Sequence, residues 1–187
     1  MRTSILIRLS TLPALLCVPL IVILAQGDPE PRPADSAFES GAWALAIEGY
    51  RDVVNENPED GTAWLRIAQA QRGLTLHDEA LESLELAKQA GGPPAMIDLE
   101  SARNLASLGQ PILALGALEA ADHLGLRALS SLEEAAEFEP LRREARYQRV
   151  YRNVRSRVYP CEGIPGSSDF DFWLGEWDVR LADGTWA

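Results

Sequence analysis

Small residues recur in this chain at an interval of 34 positions. Ala68, Ala80 and Ala87 are matched one interval later by Ala102, Ala114 and Ala121, and the same step backwards lands on Ala34, Ala46 and Val53. Large apolar residues keep their places around them. Trp64 and Ile67 open one helix with Ala68, and Ala80, Leu84 and Ala87 line the next. Ala102 and Leu105, then Ala114, Leu118 and Ala121, repeat both roles; in the preceding unit only the second helix is complete, with Trp43, Ala46, Tyr50 and Val53, closed by Pro58. A fixed period of this length is the mark of a repeat architecture built from paired helices. Small residues where two helices cross let the backbones approach, and large apolar residues one turn away fill the gaps around them.

The turns agree with the period. Gly41 and Gly109, with Thr75 at the equivalent place, fall between the helices of a pair, where a tight link suits glycine. "HDEALESLELAK" is the clearest single helix. Asp78 and Glu79 lie in its first turn and Lys88 in its last, as the helix dipole favours, and Leu81, Leu84 and Ala87 mark its buried stripe.

With "NPEDGTAWLRIAQ" and "DEALESLELA" as its best stretches, the region resembles the tetratricopeptide repeat family over residues 34–125. The resemblance implies a solenoid whose units bury their apolar faces only against neighbours, so that both ends need caps. Departures from the pattern are specific: prolines shorten the first unit's leading helix, and His77 and Pro111 stand where an aromatic usually opens a second helix. The 34-residue match stops after Gly125. Leu132, Ala135, Ala136 and Phe138, then Val150, Tyr151, Val154 and Val158, still keep helical apolar faces, so residues 126–158 are expected to form capping helices, with a proline break before the last. The expected fold class is therefore all-α, a helical-hairpin solenoid with a C-terminal cap, followed by the first strand or hairpin of an incomplete β domain.

A solenoid of this kind offers an inner surface lined by the first helix of each pair. Helical spacing places Leu65, Gln69, Arg72, Leu99 and Arg103 there. Arg72 and Arg103 suggest a groove that grips the carboxylates of a peptide; the alternative is that they pair with neighbouring acids such as Glu100. The family's pattern for holding a C-terminal carboxylate uses Lys and Asn on this face, where this chain has Leu65 and Gln69, so that particular activity is not expected.

Charge narrows the partners. With 17 basic against 28 acidic residues the chain carries a formal charge of −11, which opposes general nucleic-acid binding. The basic residues gather late, at Arg142, Arg143, Arg146, Arg149, Arg152, Arg155 and Arg157, and read as the solvated face of a capping helix neutralised by the acidic solenoid. No catalytic or phosphate-binding motif occurs, and the two histidines, His77 and His123, read as packing or capping residues. A non-enzymatic protein with no cofactor and no metal site is expected.

At the N-terminus, residues 1–25 combine Arg2 and Arg8 with an uncharged apolar run ending at Ala25, the layout of a secretory signal. A periplasmic or secreted protein is expected; the alternative is an anchor formed by residues 9–25, the one route to the membrane. Residues 26–33 form a spacer with Pro29, Pro31 and Pro33 at alternate positions. Removal of the signal leaves Cys161 as the lone cysteine, either a surface thiol or one half of a disulfide whose partner lies beyond residue 187.

Residues 159–168 read as a linker through Pro160, Gly163, Pro165 and Gly166. Residues 169–187 then change period: Trp177, Val179 and Leu181 alternate with Glu176, Asp178 and Arg180, and Asp183 and Gly184 form a hairpin signal. The stretch "FDFWLGEWDV" resembles the opening of an uncharacterised domain that often follows exported tetratricopeptide repeats, and its Gly175 and Trp177 are also similar to the start of lipocalin-like barrels. The expected function is an exported scaffold binding a protein or peptide segment in the groove. The alternative is a barrel protein holding a small apolar ligand, with the repeats as a docking arm.

Overall fold

The computed structural model describes residues 32–162. The expected signal, most of the spacer, the later part of the linker and the segment 169–187 lie outside these residues, and so do the expected β strands.

Each helix boundary has a local cause. The first helix, α1 (Pro33–Glu39), begins on a proline, whose missing N–H costs nothing at the first helical position. Helix α2 (Trp43–Glu56) stops at Asn57, the residue that Pro58 pushes out of helical geometry. Asp60 caps α3 (Gly61–Gly73), its side chain accepting the Ala63 N–H at 2.9 Å. Helix α4 spans His77–Gln89, and α5 (Pro94–Ser107) and α6 (Pro111–His123) again start on prolines. Pro111 thus takes the position of the family's aromatic without breaking the helix. The turn residues Gly41, Thr75 and Gly109 all have positive φ, at 74°, 61° and 69°.

Successive helices pack pairwise: α1 on α2, α2 on α3, α3 on α4, and so through α6. The expected small residues lie at the crossings, since Ala46, Ala68, Ala80, Ala87, Ala102, Ala114 and Ala121 are all fully buried. Gly73 brings α3 against the Trp43 indole, where an added Cβ would stand 2.7 Å from the ring. The core runs the length of the stack, from Tyr50 and Ile67 through Leu84 and Ile97 to Leu118, Leu132, Phe138 and Val154.

The C-terminal region is helical, as expected, but packs differently from the repeats before it. Helix α7 (Leu129–Glu134) gives way to a 3₁₀ helix, Ala136–Leu141, which contains Pro140, and α8 spans Ala145–Val158. The second helices α2, α4 and α6 begin at Trp43, His77 and Pro111, 34 residues apart, and α8 begins at Ala145, the same interval on. Burial does not follow the interval into α8, however: the places of Ala114, Leu118 and Ala121 recur as Gln148, Arg152 and Arg155, none of them buried, and α8 turns Tyr147, Val150 and Val154 inward instead. The partner that precedes it is broken in two, and Ala136, expected on the apolar face, is exposed. Phe138 and Tyr147 fill the junction with ring centroids 5.9 Å apart, and the Tyr147 hydroxyl donates to the Leu132 carbonyl at 2.6 Å. Burial pushes the Tyr147 hydroxyl pKa up to about 12.

Arginines tie α8 to α6 as the charge pattern implied. Arg146 donates twice to the Glu119 carboxylate, at 2.9 and 2.6 Å. Arg157 reaches the end of α6, donating to the carbonyls of Asp122 and Leu126 and to the Asp122 carboxylate at 2.6 Å.

Candidate functional site: the inner face

Helices α3 and α5 and the 3₁₀ helix share one face. On it, positions separated by the repeat interval stand side by side, so that Gln69, Arg103 and Glu137 belong to one row, with Asp35 at the matching place on α1. The Arg103 Nε donates to the Glu137 carboxylate at 2.5 Å, linking two consecutive members of that row.

The residues predicted to line a groove divide into two sets. Leu65 and Leu99 are not on the groove surface: they are 5% and 0% exposed and belong to the apolar core between repeats. Helical spacing put them on the inner side, but adjacent repeats press close enough there to cover an aliphatic side chain. Gln69, Arg72 and Arg103 do meet on the inner face, around Glu100, which is 3% exposed. The Glu100 carboxylate accepts from Gln69 Nε2 at 3.2 Å and from Arg72 Nε at 3.0 Å, and Arg103 Nη1 lies 3.5 Å away. Arg72 also lies 3.8 Å from Glu137. The arrangement is two arginines against two carboxylates, closed on itself.

This network changes what the two arginines can do. A buried ion pair is strongly destabilised when one partner is drawn away, because the other charge is left without compensation. Arg72 and Arg103 are therefore structural cross-links between repeats, and a peptide carboxylate would have to compete with Glu100 and Glu137 for them. Burial pushes the Glu137 carboxyl up, but hydrogen bonding to Arg103 and the charges of Arg103 and Arg72 outweigh it and hold the group below the usual carboxylate range.

Glu137 was missed as part of this face because the residue pattern lapses after Gly125. Its signal was present: it stands one interval after Arg103. His77, predicted as a packing residue, bridges repeats, its Nδ1 lying 3.0 Å from the Oδ1 of fully buried Asn104.

The inner face opens beside Arg103, Ser131 and Glu137, where a hollow of about 310 Å³ lies, and more widely at the N-terminal end. A hollow of about 570 Å³ is lined there by Phe38, Glu39, Trp43, Tyr50, Thr62 and Arg66, with Arg32 and Asp35 at its rim. Phe38 packs edge-on against Trp43 and Tyr50, with centroids 5.3 and 6.3 Å apart. The Tyr50 hydroxyl donates to Asp35 at 2.6 Å; burial first, and this bond second, raise its pKa to about 12. Asp35 also accepts from Arg32 at 3.0 Å and is held below the usual range, chiefly by that bond. The Arg66 guanidinium lies 4.7 Å above the Phe38 ring and donates to Gln69 Oε1 at 3.2 Å, but makes no ion pair among the described residues.

No protein-family model matches the chain, and no curated protein matches its sequence. Solved structures do. The crystal structure of MamA is similar with a TM-score of 0.55 at 13% identity, over 68% of this chain and 75% of that one. The type III secretion translocator chaperone SycD of Yersinia enterocolitica gives 0.49 at 18% identity, over 69% and 89% of the two chains. The TPR2B domain of yeast Sti1, in its complex with pHsp70, gives 0.48 at 18% identity, over 67% and 92%. The described part of this chain has the helical-hairpin fold of tetratricopeptide type, with no strand among the described residues.

Proposed function

We propose that this chain is an exported, non-enzymatic scaffold that holds a peptide segment of another protein in the hollow at the N-terminal end of its inner face. The observation that supports this most directly is the contrast among the inner-face arginines. Arg72 and Arg103 are neutralised by Glu100 and Glu137, whereas Arg66 has no acidic partner among the described residues and lies over an aromatic floor. The Arg66 guanidinium lies over the ring with Nη1 engaged by Gln69, so its remaining N–H groups can meet a carboxylate, and Phe38 and Trp43 offer apolar surface beside it. The ligand that fits is an extended or helical segment presenting an apolar side chain next to an acidic one.

Peptides selected on the wild-type chain from a random display library should be enriched in that pairing. Arg66→Glu should weaken their binding by roughly tenfold or more, the range of a lost charge-assisted contact turned repulsive, while an Arg72→Gln chain that remains folded should bind nearly normally. Peptides that bind equally well to Arg66→Glu would remove the hollow from consideration. Export is tested separately by the mass of the secreted product, which should begin at Gln26.

A further inference from the structure

The outer face of α6 is apolar where its counterpart in the preceding repeat is charged. One interval apart, Asp78, Glu79 and Glu82 of α4 correspond to Ile112, Leu113 and Gly116 of α6. Ile112 is 75% exposed and Leu113 58%, and Leu124, at the far end of the same face, is 51% exposed. Between them run Gly116, Ala117 and Ala120, and nothing lies within 4 Å of a Cβ placed on Gly116. Helical spacing puts the first five of these in sequence on a single face, opposite the buried Ala114, Leu118 and Ala121, with Leu124 just past the helix end; the exposed His123 is the one polar side chain among them. Its small central residues leave room for another backbone to come close.

The two sides of this strip carry opposite charge. Along the stack α4 precedes α6 and exposes Asp78, Glu79, Glu82 and Glu85; α8 follows it and exposes Arg149 and Arg152. None of these six forms an ion pair among the described residues. An anionic lipid surface would be repelled by the α4 carboxylates. A second copy of the same chain suits both sides at once. A two-fold axis lying along α6, in the plane of contact, sets α6 on α6 and exchanges the sides, so that the acidic α4 of each copy faces the basic α8 of the other. The alternative axis, across α6, would set arginine against arginine.

From this self-complementary pattern we infer that the chain forms a symmetric homodimer through the apolar outer face of α6, oriented by contacts between α4 of one copy and α8 of the other. The surface is distinct from the inner-face hollow, so dimerisation and peptide binding are separable.

Charge exchange tests the orientation with the full chain. Arg149→Glu/Arg152→Glu and Glu79→Arg/Glu82→Arg each place like charges at both contacts of their own dimer, and each should associate roughly tenfold or more weakly than wild type in sedimentation equilibrium. In a mixture of the two every contact again pairs opposite charges, so a tagged copy of one variant should capture the other with wild-type affinity and fail to capture itself. All four positions are exposed, and circular dichroism should show unchanged helicity. Ile112→Glu/Leu113→Glu should abolish association in every combination. A monomeric wild-type chain, an Ile112→Glu/Leu113→Glu variant that still associates, or charge variants that capture themselves as well as each other would each overturn the proposal; the first would leave the face to a different protein.

Discussion

Thr75 shows the repeat working against a side chain. At its two equivalent positions, Gly41 and Gly109, the chain uses the residue that adopts positive φ without penalty, but Thr75 is β-branched and sits at φ 61°, the one non-glycine residue of the described chain with positive φ. An L-residue in that region costs on the order of 1–2 kcal/mol, and glycine returns part of the gain through a more flexible unfolded chain. Thr75→Gly should therefore stabilise the solenoid by about 0.5–1 kcal/mol, read as a higher urea midpoint at unchanged slope. Two residues earlier the opposite holds. Gly73→Ala should lower the midpoint, because the new methyl would overlap the Trp43 ring. The special turn was legible in the sequence from the glycines one interval away, whereas the close approach at Gly73 was not, since only the packing of α2 on α3 brings the indole there.

At the scale of helices, what the sequence revealed depended on how each element is stabilised. Helices α2 to α6 were readable because each repeats a pattern of alanines and large apolar residues that the packing itself requires. The C-terminal helices carry no such pattern because they pack in another way: Phe138 and Tyr147 fill the junction, arginines hold α8, and α8 turns a different face inward from α2, α4 and α6. The inner-face residues failed for a related reason. Periodicity assigns Leu65 and Leu99 to a side of a helix but says nothing about how closely the next helix covers that side. Phe138 is fully buried at the centre of the C-terminal helices, so Phe138→Ala should cost about 3–5 kcal/mol, the range for emptying a buried phenylalanine site. Hydrogen exchange should then show α8 losing protection before α2 and α3, as expected where stability is a sum of neighbouring contacts. Uniform loss across all helices would mean that the solenoid melts as one unit.

Across the whole molecule, excess acid is managed by setting particular carboxylates against arginines at three separate levels of the stack. Asp35 is held by Arg32 and Tyr50 at the N-terminal end, Glu119 by Arg146 between α6 and α8, and Glu137 by Arg103 and Arg72 where the 3₁₀ helix meets α5. All three have folded pKa values below their ordinary 3.8 or 4.5. A group lowered in this way contributes stability that is fully present above its unfolded pKa and is lost as pH falls through the folded value. Asp98 acts in the opposite sense, since burial raises its pKa and favours the fold while it is protonated, but it is one group against four, because the exposed Glu162 is lowered too by its bond to Arg155. The melting temperature should therefore change little between about pH 6 and 8 and decline as pH falls below about 4.5. Glu119 and Arg146 are both partly exposed, so their bond is screened and worth little alone. Arg103 and Glu137 are better covered, at 18% and 15% side-chain exposure, and should dominate the decline. Glu137→Gln should lower stability at neutral pH, where the carboxylate's attraction to Arg103 is lost, and leave a shallower fall on acidification, because one of the titrating groups is gone. Thermal melts at half-unit steps from pH 3 to 7 measure both. An equally steep fall in the variant would show that the acid response arises elsewhere, in the repulsion among arginines left unopposed once the other carboxylates are protonated.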